Sequence, residues 1–205
     1  KNIISLIKEI LFFENKYEIE IIVVDDNSHD RTQILVRELS KSVRKVRLIN
    51  RVGRFGLSSA ICEGCLNANG EIIAVMDSDG QHQVKSVYQS IDYLLTSNKD
   101  LIVGSRFAKG SSIEGLSKKR EKGSNFANHF ARFTLSRNYG HLSDFMSGCF
   151  TFKRNSCINY LKKIDVSGFK FLYELLSLSK GTLKIGEIPL NFQSRKYGYS
   201  KLDYA

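Results

Sequence analysis

EIIAVMDSDGQH (71–82) is the stretch on which the fold turns. The apolar run Ile72 to Met76 predicts a strand over 71–76 that is buried on both faces, and it stops abruptly at Asp77-Ser78-Asp79. IEIIVV (19–24) has the same form and runs into Asp25-Asp26-Asn27-Ser28. Working outward, VRLIN (46–50), DLIVGS (100–105) and CFTFK (149–153) predict further strands, with a longer strand-like stretch at 183–192. Between them, apolar residues at helical spacing predict helices over 2–13, 31–41, 57–68, 84–96, 121–137 and 169–179, with Asp30 placed to cap the second. Strands alternating with helices predict a doubly wound, mostly parallel α/β sheet. Ligands of such sheets bind beyond the carboxyl ends of the strands, which is where both acidic clusters fall.

With 205 residues, the chain suits a single domain over 1–205. Hydrophobic residues make up 42 % and charged residues 25 %, as in ordinary globular proteins. No apolar run reaches the roughly 20 residues needed to cross a bilayer, and no signal peptide is visible. The net charge of +10 attracts phosphates of any kind and does not choose among nucleotide, lipid head group and nucleic acid. Cys62 and Cys65 have C-x-x-C spacing, yet no second pair accompanies them, so small core residues are expected rather than a zinc site.

Asp-x-Asp at a strand end can aim two carboxylates at one ion, and oxygen ligands suit Mg²⁺ or Mn²⁺. Such an ion would neutralise a nucleotide diphosphate and improve it as a leaving group. Alone the triplet also fits a solvated turn; the second acidic strand end favours the site. Arg106 has a plain alternative in a surface carboxylate partner. His82 is expected beside the metal ligands or in solvent rather than on the metal, and His29 in a loop. Phe126, Phe130 and Phe133 fall near i, i+4 and i+7; core packing is the default expectation, with membrane contact the alternative.

VVDDNSHDRT (23–32), GLSSAICEG (56–64), VMDSDGQH (75–82), IVGSRF (102–107), DFMSGCF (144–150), GFKFLYELL (168–176) and FQSRKYGYSKL (192–202) occur in the order found in polyprenyl-phosphate (dolichyl-phosphate) mannosyltransferases. The chain resembles that family from about residue 19 onward. The resemblance implies a Rossmann-like nucleotide-sugar glycosyltransferase fold of the GT-A type and an inverting, metal-dependent transfer of mannose from GDP-mannose to a polyprenyl phosphate. It implies that Asp26, Asp77, Ser78, Asp79, Gln81 and Lys201 meet the donor, with Asp77, Asp79 and Gln81 at the metal. It also implies that Arg120, Ser124 and Arg195 hold the acceptor phosphate, and that Asp79, Arg106 and Arg195 serve catalysis. Ser200 and Lys201 belong to a closing loop. Ser78, Gly80, Gln83 and Phe145 depart from the family pattern without removing a ligand, and Gly80 is expected to loosen its loop. The family's first strand and its loop do not appear, so the chain as it stands is expected to bind donor poorly or to fold marginally.

The resemblance places the protein at the cytoplasmic face of a membrane, peripheral or anchored by a partner subunit or by following membrane helices. A UDP-glucose-dependent glucosyltransferase is the near alternative. A non-catalytic nucleotide- or nucleic-acid-binding module is the distant one, and the paired acidic strand ends oppose nucleic acid because they repel its phosphates unless a metal intervenes.

Overall fold

A computed structural model describes residues 2–13, 16–53, 56–112, 118–168 and 170–193, with the backbone alone at 118–121. The elements follow in the order α1 (Ile3–Phe12), β1 (Ile21–Asp25), α2 (Thr32–Ser42), β2 (Val46–Asn50), α3 (Leu57–Asn67), β3 (Ile72–Val75), α4 (Val84–Thr96) and β4 (Leu101–Ser105). Then come α5 (Lys118–Thr134), a 3₁₀ turn (Arg137–Tyr139), β5 (Phe150–Lys153), α6 (Arg154–Leu161), α7 (Phe171–Ser179) and β6 (Ile185–Pro189).

The strands form two hydrogen-bonded groups. β1 and β2 pair in parallel, Ile21 opposite Val46. The other group has the order β3-β5-β4-β6, with β4 and β6 parallel and β5 antiparallel to both its neighbours. The mostly parallel α/β expectation therefore holds, with β5 as its exception. β5 can run the other way because the long excursion through α5 and the 3₁₀ turn returns the chain to the acidic edge before β5 starts. Glu20, just before β1, accepts hydrogen bonds from the backbone N–H groups of Asn69 and Gly70, just before β3. The two strands thus start at one edge and deliver their acids to the other.

Helices α1, α2 and α4 cover one face. Ile3 and Ile7 of α1 and Val36 of α2 pack on Ile21 and Val46, and Leu6 of α1 packs with Val84 and Tyr88 of α4. On the opposite face α3, α6 and α7 enclose the main core, in which Phe150, Phe152 and Phe171 meet. β4 is buried at every residue, as its unbroken apolar run predicts. β6 lies at the edge of its sheet and ends in Pro189, where a missing N–H costs no ladder bond.

Cys62, Cys65, Cys149 and Cys157 are free and buried, and burial pushes the thiols of Cys65, Cys149 and Cys157 up to about 12. They are the inert core residues expected. Two helices differ from expectation. α5 starts at Lys118 rather than 121, and α6 has no counterpart in the sequence pattern because its apolar residues are sparse. Asp30 does bond the backbone of Thr32, at 2.9 Å, at the start of α2.

Packing is close at Gly104 on β4, where an added Cβ would stand 2.9 Å from three side-chain atoms of buried Leu190. Gly104→Ala is therefore expected to lower unfolding stability by about 1–3 kcal/mol, read from the midpoint of urea denaturation at unchanged slope.

Candidate active site

The end of β3 turns through Met76, Asp77, Ser78, Asp79 and Gly80 before α4 begins. Gly80 has φ +79°, a left-handed conformation that favours glycine. The residue expected to loosen this loop is thus one that its turn requires. Asp79 accepts the backbone N–H of Gln81 at 3.0 Å, and its own carbonyl accepts from the side chain of Asn2 at 3.2 Å. Gln81 is buried; its side-chain amide donates to the carbonyl of Gln193 at 3.1 Å, and Gln193 N–H donates back to the Gln81 carbonyl at 2.9 Å. Ser78 is exposed, and the Asp77 side chain is 39 % exposed.

His82 is buried beside Asp77, Nε2 to Oδ2 3.6 Å, with its ring edge-on to Phe192. That is the expected place next to the acids, short of a hydrogen bond. On its other side Asp77 rests on Gly148: a Cβ there would fall 2.4 Å from Asp77 Oδ2.

Arg106 follows β4 and grips Asp144 through both carboxylate oxygens, Nε to Oδ2 2.7 Å and Nη2 to Oδ1 2.9 Å. The plain alternative for Arg106, a carboxylate partner, holds, but the pair is buried rather than on the surface: Asp144 is fully enclosed and the Arg106 side chain 11 % exposed. Burial works against the guanidinium charge, yet Asp144, with help from Asp77, raises the Arg106 pKa above its ordinary value, so it stays cationic. Arg106 thus sets a fixed positive charge within electrostatic reach of Asp77.

The acids after β1 behave differently. Asp25 accepts from Ser28 N–H and Oγ and from Gln33, closing its own loop. Asp26 accepts from Arg51 at 2.7 Å and from Gly56 N–H at 2.9 Å, which ties β1 to the start of α3. Arg51 is almost fully buried, and it also reaches Ser59 and stands 3.3 Å from Glu63. Both oxygens of Asp26 are therefore engaged by the protein itself, and a donor would have to use their remaining lone pairs.

Asp77, Asp79, Gln81, His82 and Arg106 are gathered at one edge. Arg120 lies in the first turn of α5 and Ser124 one turn on, half-buried. The Arg120 side chain, Arg195, Ser200 and Lys201 lie outside the described residues. Sequence reasoning missed Asp144, Gly148 and Arg51: no spacing pairs Asp144 with a residue 38 positions away, though Asp144 and Gly148 both lie in DFMSGCF. The expectation that Phe126, Phe130 and Phe133 pack in the core is overturned. They are 76 %, 57 % and 78 % exposed, because α5 turns Asn128 and Ala131 inward instead, with Leu135 buried just past its end.

Among the described residues no three His, Cys, Asp or Glu side chains form a metal cage. Two carboxylates at a strand end, that of Asp77 part-exposed, still fit Mg²⁺ or Mn²⁺, which commonly take one or two carboxylates and complete their shell with phosphate and water oxygens.

Known proteins resemble this arrangement at two levels. The chain is 35 % identical over 183 residues to a dolichol-phosphate mannosyltransferase of Pyrococcus furiosus, covering 89 % of this chain and 50 % of that protein. It is 35 % identical over 185 residues to a dolichol-phosphate mannosyltransferase of Mycosarcoma maydis, covering 90 % of this chain and 61 % of that one. It thus spans half to about three-fifths of the length of these relatives. Glucosyl-3-phosphoglycerate synthase from Mycobacterium tuberculosis, solved with Mn²⁺, UDP and glucosyl-3-phosphoglycerate, superposes with a TM-score of 0.72 at 20 % identity. That match covers 99 % of this chain and 69 % of the synthase, and it establishes the GT-A glycosyltransferase fold. The model of glycosyl transferase family 2 matches residues 1–161, and the chain belongs to that family.

Proposed function

We propose that this chain is the catalytic part of an enzyme that transfers a mannosyl residue from GDP-mannose to a polyprenyl (dolichyl) phosphate. The observation that carries the proposal is the part-exposed Asp77, with Asp79 two residues on in the same strand-end loop, beside a buried, fixed Arg106, in a chain whose relatives are dolichol-phosphate mannosyltransferases. Asp77 and Asp79 would hold Mg²⁺ or Mn²⁺ against the donor diphosphate, with Gln81 bracing the loop. When bound, the ion supplies charge neutralisation of the leaving GDP. Arg106, kept cationic by Asp144, adds a preorganised positive charge to the same edge.

The acceptor phosphate oxygen is already anionic near neutral pH, so no protein base is required. It attacks C1 of the sugar as the bond from C1 to the GDP oxygen breaks, and a single displacement inverts the anomeric centre. Arg120 and Ser124, one helical turn apart, would orient the acceptor phosphate. The outer face of α5 supports a membrane surface as partner. Phe126, Phe130 and Phe133 project from it, exposed Lys122 lies one turn before Phe126, and Lys118, Lys119 and Arg120 open the helix. Aromatics next to cations suit the boundary of an anionic bilayer. Among the described residues no helix is long and apolar enough to cross a membrane.

Three measurements test this reading. In a donor screen on the longer natural protein, GDP-mannose with a divalent ion is expected to support transfer and UDP-glucose is not. Asp79→Asn is expected to cut that transfer about a hundredfold or more, with circular dichroism unchanged; activity that follows UDP-glucose, or survives in Asp79→Asn, rejects the assignment. Arg120→Ala is expected to raise KM for the lipid phosphate roughly tenfold and Ser124→Ala by less, with KM for the nucleotide sugar little moved; an effect confined to the donor means the acceptor lies elsewhere. Replacing Phe126, Phe130 and Phe133 together by Ser is expected to weaken sedimentation with anionic vesicles about tenfold or more. Turnover of a short-chain soluble acceptor should persist in that variant, and equal losses in both assays would place the helix in catalysis or folding instead.

A further inference from the structure

Arg120, Ser124, Asn128 and Arg132 stand four apart on α5 and so form one ridge along the helix. The first two are the proposed acceptor residues. The last two bind the loop that leads into β5: Asn128 Oδ1 accepts the backbone N–H of Phe145 at 2.9 Å, and Arg132 Nη2 donates to the Leu142 carbonyl at 2.9 Å. The same loop carries Gly148, against which Asp77 lies. One ridge of side chains therefore runs from the acceptor end of α5 to the segment that seats the donor-side acid.

The loop itself is held from the sheet side. Ser143 and Asp144 N–H donate to Glu187, Arg106 grips Asp144, and Ser147 Oγ donates to the Gly104 carbonyl at 2.6 Å. None of these bonds touches α5. Among the described residues the side-chain bonds that tie α5 to its surroundings are those of Asn128, of Arg132 and of Thr134, whose Oγ1 lies 2.9 Å from the Tyr173 hydroxyl. Asn128 is the nearest of the three to the acceptor end, with Ser124 about 6 Å and Arg120 about 12 Å before it along the axis. It alone of the three is buried. Its Nδ2 has no partner among the described residues. Burial of that idle group costs stability, so what the side chain contributes is the one bond its oxygen makes. Phe145 stands where the family pattern has proline, which carries no N–H, so this bond belongs to this chain and not to the pattern.

We propose, resting on the donor and acceptor roles given above, that Asn128 is a positioning residue for the transfer. By holding the Phe145 N–H it seats α5 on the loop before β5, and so aligns the acceptor phosphate at Arg120 and Ser124 with the sugar carried beside Asp77. Arg120 and Ser124 ride on the same helix, so a tilt of α5 carries both together and leaves the acceptor bound. The donor is held from the end of β3 and is not moved. What changes is the line between the phosphate oxygen and C1 of the sugar, and a misplacement of about 1 Å there can cost about a hundredfold in rate. Loss of the bond therefore acts on kcat and not on either KM.

The test is made on the full-length protein with Asn128→Leu, close in size but without an acceptor, and Asn128→Asp, which keeps an oxygen for the Phe145 N–H. In Asn128→Leu, kcat per folded molecule is expected to fall about tenfold or more, with KM for GDP-mannose and for the lipid phosphate each within about twofold of the unaltered values. The Phe145 amide is expected to exchange hydrogen about a hundredfold faster in that variant. Asn128→Asp is expected to recover most of kcat and the slow amide. An unchanged kcat in Asn128→Leu overturns the proposal, as does a loss explained by a smaller folded fraction alone. A rise confined to KM for the lipid phosphate overturns it too, since Asn128 would then bind the acceptor rather than align it. If Asn128→Leu does not fold, Asn128→Ser is read by the same criteria; if neither folds, the side chain is structural and the proposal falls. A Phe145 amide that exchanges as fast as exposed loops in the unaltered protein overturns it without any sugar transfer. Failure of the enzymatic reading shows differently: the unaltered protein then transfers from no donor while the Phe145 amide stays slow, so the seat of α5 stands and its role in transfer falls.

Discussion

Asp144 is wholly enclosed by protein, and a carboxylate in that position is stable only because Arg106 holds both its oxygens. Removing one partner of such a pair costs about 3–5 kcal/mol, whereas replacing both by well-packed apolar residues is often neutral. What the pair supplies here is position. Asp144 also accepts Met146 N–H, and Glu187 on β6 accepts the N–H groups of Ser143 and Asp144. The loop before β5 is thereby fixed to the ends of β4 and β6. Gly148 sits in that loop, and the carboxylate of Asp77 lies on Gly148. The placement of the open acid traces back through this loop to a buried charge pair 38 residues wide.

The two acidic strand ends look alike in sequence and play unlike parts. Asp25 and Asp26 spend their oxygens on the protein, one closing its own loop and the other securing α3 through Arg51 and Gly56. Asp77 keeps a side chain 39 % exposed, and Ser78 beside it is exposed. A chain of net charge +10 can thus keep a locally negative edge, with Arg106 behind it.

Most of the frame was legible because buried parallel strands are long apolar runs and their connecting helices carry a clear period. The strands over 46–50 and 101–105 and the helix over 84–96 lie within a residue of their expected bounds. β5 was legible as a strand and illegible in direction, since direction depends on where the preceding excursion returns. The phenylalanines of α5 misled because periodicity marks an apolar face without saying which way it points. Ala131, with polar Asn128, took the inward side, and Asn128 did so by accepting the backbone N–H of Phe145. The Asp-x-Asp site was visible at its strand end, whereas Asp144, Gly148 and Arg51 act through contacts between distant segments that no local pattern encodes.

The contact between Asp77 and Gly148 has an evolutionary side. With only 2.4 Å between a Cβ at 148 and Asp77 Oδ2, a methyl group at 148 would push the carboxylate from its place. Loss of the acid would release that constraint, and reacquiring the acid after 148 had drifted would require two changes in the right order. The glycine therefore acts as a ratchet: a descendant that abandons the acid at 77 and then fills the space at 148 has no single-step way back.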